Sequence, residues 1–189
     1  MKIILMRHGK PEMDLNAIRK IRMSPHEMGQ IIRDYENSEL NCQQQIPTDS
    51  NDIANQCDVF FASELVRAQS SIMMLDKPSD VIYNSCFNES NLPYQNWRSP
   101  KFTFFTWAIL FRIAWMLGFN KNGESIKSGQ ERAQIAATKL INHTSSDQNT
   151  LLLGHGIMNR LVAKQLKQNA WRQTYNSGNG YWSYVVFEK

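Results

Sequence analysis

The sequence predicts an α/β fold with a mostly parallel sheet, and two observations carry that expectation. Five short apolar runs alternate with stretches that read as helices, the pattern of strands joined by helical crossovers. Polar strings containing His or Arg follow three of those runs, and in such sheets ligands sit outside the carboxyl ends of the strands.

Residues 1–6 form the first apolar run, a buried strand that Arg7-His8-Gly9 closes. Ser24-Pro25-His26-Glu27 announces a helix to about Asn37, with Ser as N-cap and Pro at the first helical position. Residues 38–56, rich in Gln, Asn, Asp and Ser, read as a loop with at most one further helical turn. The run 58–62 is the second strand; Ser63 is read as the cap of a helix reaching about Leu75. Residues 81–83 form a third strand and 84–99 an irregular stretch. An apolar helix is expected over 102–117, stopped by Gly118, and another over 128–144. Residues 150–153 form the fourth strand, ended by Gly154-His155-Gly156 and followed by a helix over 157–168; 182–187 is the fifth strand.

This order brings Arg7, His8, Arg67 and His155, distant in sequence, to one edge of the sheet. Those residue types suit phosphoryl transfer, which needs a nucleophile, cations or donors around the equatorial oxygens, and a proton for the leaving oxygen. A neutral imidazole can be the nucleophile without a metal, because its unperturbed pKa is about 6.5. His8 has the position for it, with Arg7 beside it. Arginine holds two phosphate oxygens with one planar fork and stays charged, so Arg7 and Arg67, together with His155, are candidate phosphate ligands. Helix starts near Ser63 and Gly156 are expected to aim free N–H groups at the anion. Glu89 is a candidate general acid; the competing reading is a solvated loop glutamate. His26 and His143 lack such a setting and are taken as surface residues. The four histidines are not spaced as metal ligands and no carboxylate cluster accompanies them, so neither a metal nor another cofactor is expected.

With those residues in view, the sequence resembles the histidine phosphatase superfamily, the phosphoglycerate-mutase-like fold. The resemblance rests on Leu5-Met6-Arg7-His8-Gly9, on Ser63-Glu64-Leu65-Val66-Arg67-Ala68, on the glutamate of Asn88-Glu89 and on Leu153-Gly154-His155-Gly156. Softer echoes are Met23-Ser24 with Gly29-Gln30, and Gly123-Glu124-Ser125 before the helix carrying Arg132. The echoes keep the family's order over nearly the whole chain. The resemblance implies a three-layer α/β/α sandwich with the pocket at the carboxyl edge, His8 as phosphate acceptor, Glu89 as proton donor, and Arg7, Arg67 and His155 as phosphate ligands. Lys10-Pro11 replaces the Glu-Thr that often follows Arg-His-Gly in the family, and Asp14 stands where an Asn is usual. Asp14 is assigned no role. The compactness of the chain is closer to the phosphatase branch than to the mutases. A metal-independent phosphatase acting on a small phosphomonoester or a phosphoprotein is therefore expected, against two alternatives, a mutase-type phosphotransferase and a non-catalytic phospholigand-binding module.

The segment 102–117 is apolar except for Thr103, Thr106 and Arg112 and falls short of the ~20 residues that span a bilayer. Three readings compete for it: a core or cap helix, a hydrophobic wall for the leaving group or a homodimer face, and membrane-surface contact. Within a single domain of 189 residues, 88–127 is read as the cap insertion. If the segment caps the pocket, the substrate carries an apolar or aromatic portion.

The remaining composition narrows the class. A net charge of +4 with Lys and Arg scattered along the chain gives no basic stripe for nucleic acid. The apolar run at the start is too short for a secretory signal. Three cysteines without a Cys-x-x-Cys pair fit reduced thiols in the cytoplasm.

Overall fold

The computed structural model describes residues 1–76, 80–144 and 148–189. Its centre is β1 (Lys2–Arg7), where Ile3, Ile4, Leu5 and Met6 are all buried. A strand buried on both faces reads as a continuous apolar run rather than an alternating one. β6 (Thr150–Gly154), buried throughout, pairs with β1 in parallel. β3 (Val59–Ala62) pairs in parallel with β6, and the short β4 (Ile82–Tyr83) with β3. On the other side of β1 lie β8 (Tyr184–Glu188) and then β7 (Arg172–Asn176), both joined in antiparallel fashion. The sheet order is thus β4-β3-β6-β1-β8-β7.

Alternate residues of the strands face two helical layers. Ile3, Leu5 and Phe61 meet Ala133, Ala136, Ala137 and Leu140 of α5 (Ile126–His143) and Met158, Val162 and Leu166 of α6 (Gly156–Gln168). The three alanines let α5 lie close against its neighbours. Ile4, Met6 and Ala62 meet Ala54 of α2 (Thr48–Asn55) and Ala68 and Ile72 of α3 (Val66–Met74). Two apolar cores separated by one sheet make the three-layer α/β/α sandwich that the sequence implied.

A third apolar cluster is separate from both. Met28 and Ile32 of α1 (Pro25–Glu36) pack with Phe104, Trp107 and Phe111 of α4 (Phe104–Met116). A two-stranded ribbon of β2 (Arg22–Met23) and β5 (Phe102–Thr103) ties their starts together. Ser24 caps α1 in a full capping box, its oxygen accepting from Glu27 N while the Glu27 carboxylate accepts from Ser24 N.

Several expectations shift. Residues 38–56 contain α2, two helical turns whose polar sequence conceals a stripe through Ser50 and Ala54. Ser63 does not cap a helix: α3 starts at Val66, and the Ser63 hydroxyl is engaged elsewhere. The expected apolar helix starts at Phe104, because Phe102 and Thr103 pair with β2. β8 starts at Tyr184, because Trp182 adopts a left-handed backbone (φ 61°). β7 was not expected from the sequence, since all five of its residues are exposed and none gives a buried alternation. No helix among the described residues is long and apolar enough to cross a membrane.

Candidate active site

Register places the two histidines. Arg7 pairs with Gly154 across β1 and β6, so the next residue of each strand, His8 and His155, leaves the sheet side by side. His8 N donates to Gly154 O at 3.0 Å, and the two imidazole centroids lie 4.9 Å apart. Both rings are buried. Gly9 is required at its position: a Cβ there would stand 2.7 Å from the Trp182 ring, which leaves no room for a side chain.

Hydrogen bonds set the His8 tautomer. Nδ1 lies 2.7 Å from Gly9 O and must carry the proton, since a carbonyl only accepts. Nε2 keeps its lone pair and accepts from Arg67 Nε at 3.3 Å. Burial, and next the Arg67 charge, hold His8 well below the usual imidazole pKa. The ring is therefore a neutral base whose unprotonated nitrogen faces a guanidinium.

A relay fixes His155 in turn. Glu64 N donates to Asn88 Oδ1, which orients that amide, and the same oxygen accepts the Ser63 hydroxyl proton. Ser63 Oγ is then left to accept, and His155 Nε2 donates to it at 2.8 Å. Nδ1 of His155, buried, has no hydrogen-bond partner in the protein. Burial, and next the proximity of His8, lower the His155 pKa as well.

Two arginines sit over two tyrosines. The Arg7 guanidinium lies 4.5 Å from the Tyr181 ring and that of Arg67 5.4 Å from the Tyr35 ring, while the tyrosine hydroxyls meet at 3.2 Å. Ring faces favour a cation and limit its motion. Arg67 is 2 % exposed, and its Nη1 donates to Glu36 O. A buried guanidinium without an ion-paired carboxylate is costly unless its donors are satisfied; the tyrosine face and the Glu36 carbonyl do part of that. Burial lowers the Arg67 pKa, opposed by Tyr35 and the nearby Glu89 and Glu36 carboxylates.

Glu89 is fixed rather than solvated. Oε1 accepts from Ser90 N and Met158 N at 2.9 Å, and both oxygens lie 3.2 Å from Ile157 N. The expectation that the α6 N-terminus offers free N–H groups to a phosphate is thereby corrected: Ile157 and Met158 donate to Glu89. At the other expected site, Glu64 N and Leu65 N are taken by Asn88 and Ser63. Arg132 holds the Glu89 loop, donating to Ser85 O, Cys86 O, Asn88 O and Glu89 O and pairing with Glu124. That gives the Gly123-Glu124-Ser125 and Arg132 echoes a structural meaning.

Arg7, His8, Arg67 and Glu89 share the wall of one cavity of about 310 Å³ with Tyr35, Glu36, Ser90, Arg112 and Tyr181. The sequence reading missed Tyr35, Glu36 and Tyr181, which arrive from α1 and from the 177–183 loop without any local motif. Asp14 also lines the cavity, with its carboxylate 2.9 Å from Lys10 Nζ; the exposed pair and Asn16 N lower its pKa. His143 is exposed and His26 half-buried, both apart from the site. Among the described residues, no group of three or more His, Cys, Asp or Glu side chains is placed to hold a metal ion.

Burial of two neutral histidines has a consequence for acid stability. Their folded pKa values lie below 6.5, so below pH 6.5 the unfolded chain binds more protons and the native state loses stability as pH falls. The slope is at most about 1.4 kcal/mol per pH unit for each histidine, and above pH 6.5 neither contributes. Urea midpoints measured at pH 7.5 and 5.5 should fall with pH, and less steeply in His155→Asn. An equal fall in both proteins would contradict this account.

Layers and sheet order give the chain a phosphoglycerate-mutase-like fold, which it shares with solved structures of low sequence identity. Solved structures similar to this chain include a phosphoserine phosphatase from Entamoeba histolytica, 19% identical with a TM-score of 0.63 over 99% of this chain and 90% of that one. A mycobacterial glucosyl-3-phosphoglycerate phosphatase is 17% identical, TM-score 0.63, over 98% of this chain and 88% of that one. A putative alpha-ribazole-5'-P phosphatase from Escherichia coli is 20% identical, TM-score 0.54, over 87% and 79%. No family model matches the chain, and no curated protein matches it.

Proposed function

We propose that the protein is a phosphatase that transfers the phosphoryl group of a phosphomonoester to His8 Nε2 and then to water. The observation that carries this reading is the unprotonated Nε2 of a buried imidazole next to the Arg67 Nε, with the His155 ring 4.9 Å away. Arg7 and Arg67 hold the phosphoryl oxygens; His155 becomes a further donor when Nδ1 takes a proton, which a bound dianion favours. The P–O bond to the leaving group breaks as the N–P bond forms, and Glu89 gives its proton to the departing oxygen. Water then attacks phosphorus, returns a proton to Glu89, and the N–P bond breaks to release phosphate. Segment 88–127 serves as the cap over this site, and the phosphatase names of the similar structures support hydrolysis over transfer. The free thiols of Cys42 and Cys86 fit a reducing compartment such as the cytoplasm.

The test is phosphate release from p-nitrophenyl phosphate in the presence of EDTA. Retained activity with stoichiometric free phosphate is expected; loss on chelation, or transfer to an added alcohol without phosphate release, would overturn the reading. Proton donation has its own signature. Glu89→Gln should lower kcat by about 10²–10⁴ for alkyl phosphates and much less for p-nitrophenyl phosphate, whose leaving oxygen needs no proton. Glu36→Gln, the other cavity carboxyl, should not show that split.

A further inference from the structure

Helix α4 carries two apolar stripes where a packed helix needs one. Phe104, Trp107, Phe111 and Trp115 form the buried stripe. Phe105, Ile109 and Ile113, spaced four residues apart, form a second that stays 37%, 62% and 53% exposed. Together with Leu92 and Ala108 they line a shallow groove of about 380 Å³. The groove and the cavity over His8 share Leu92, Phe105 and Arg112 as wall, so the two adjoin. The cavity itself is at the small end of ligand sites, which span about 300–1,000 Å³. A phosphoryl group fills part of it, and the α4 groove beside it offers a longer leaving group an apolar surface.

We propose, on the basis of the phosphatase reading above, that the substrate is a phosphomonoester with an apolar leaving group whose chain or ring lies on Leu92, Phe105, Ile109 and Ile113. Other occupants suit the groove less well. Membrane contact calls for outward basic residues, but the single charge on α4, Arg112, is half-buried, donates to Ser90 O and packs on Trp115. A second copy of the chain seated on the stripe would cover Leu92 and Phe105, which also wall the active-site cavity.

The experiment is steady-state phosphate release from ethyl, butyl, hexyl and octyl phosphate below their micellar concentrations, with phosphoserine for comparison. Burial of each methylene should raise kcat/KM roughly two- to fourfold, giving at least a tenfold rise from ethyl to hexyl phosphate. Replacing the exposed pair by Ile109→Ser with Ile113→Ser should flatten that rise. A flat series in the wild type, or phosphoserine cleaved faster than hexyl phosphate, overturns the apolar substrate while the phosphatase reading stands. A flat series with self-association that the double variant abolishes assigns the stripe to a second copy and also overturns it. No release from any of these substrates or from p-nitrophenyl phosphate overturns the inference together with the reading it rests on.

Discussion

His8→Ala is expected to lower kcat/KM for p-nitrophenyl phosphate by about 10⁴-fold or more. Removal of the imidazole removes the covalent route itself, and in enzymes whose catalytic groups act as a unit the loss of a nucleophile costs as much as the loss of its partners. The remaining cations would bind phosphate but offer it no acceptor. Binding should therefore outlive turnover, so inorganic phosphate should still protect the variant against thermal unfolding. Added imidazole should restore part of the rate to His8→Gly, because the pocket that the ring vacates adjoins the Arg67 Nε. Activity within tenfold of wild type would place the nucleophile elsewhere.

The second large effect is expected at Arg67. Its Nε reaches His8 Nε2 and its Nη1 the Glu36 carbonyl, so the planar fork both shapes the nucleophile's surroundings and stands ready for the phosphoryl oxygens. Arg67→Met should lower kcat/KM by about 10²–10³-fold, the scale for removing one preorganised donor from a buried site. Stability should change far less, by about 1–2 kcal/mol in either direction, because an apolar side chain of similar length offsets the lost hydrogen bonds by relieving the burial of a charge. Arg67→Lys should recover little, since one ammonium cannot reach both partners from the same stem. A lysine variant close to wild type would show that charge alone matters there, and the fork argument would fail.

The legible part of this protein was the part written in local pattern. β1 and β6 are uninterrupted apolar runs ended by His motifs, and α1 starts with Ser, Pro and Glu in capping order. What stayed hidden depends on contacts between distant segments. β7 exists only because β8 offers it hydrogen bonds, as its own side chains are all exposed. Tyr35 and Tyr181 are 146 residues apart and meet only when α1 and the C-terminal loop close over the site. The occupied start of α6 is hidden in the sequence for the same reason. Free N–H groups at the start of α6 are a sound expectation from sequence, yet Glu89 arrives from another loop and takes those of Ile157 and Met158. Glu89, ambiguous in sequence, gains a defined place through those bonds and through Arg132. α4 conformed to its apolar composition, but only the fold separates its buried stripe from its exposed one.

The central claim, a phosphoryl group carried on His8, is most directly tested by trapping it. Wild-type protein mixed with ³²P-labelled p-nitrophenyl phosphate and quenched in alkali within milliseconds should retain alkali-stable, acid-labile label. Peptide mapping should place that label on residue 8, and it should be absent from His8→Ala. Label found on another side chain, or a burst of p-nitrophenol with no label on the protein, would contradict the account.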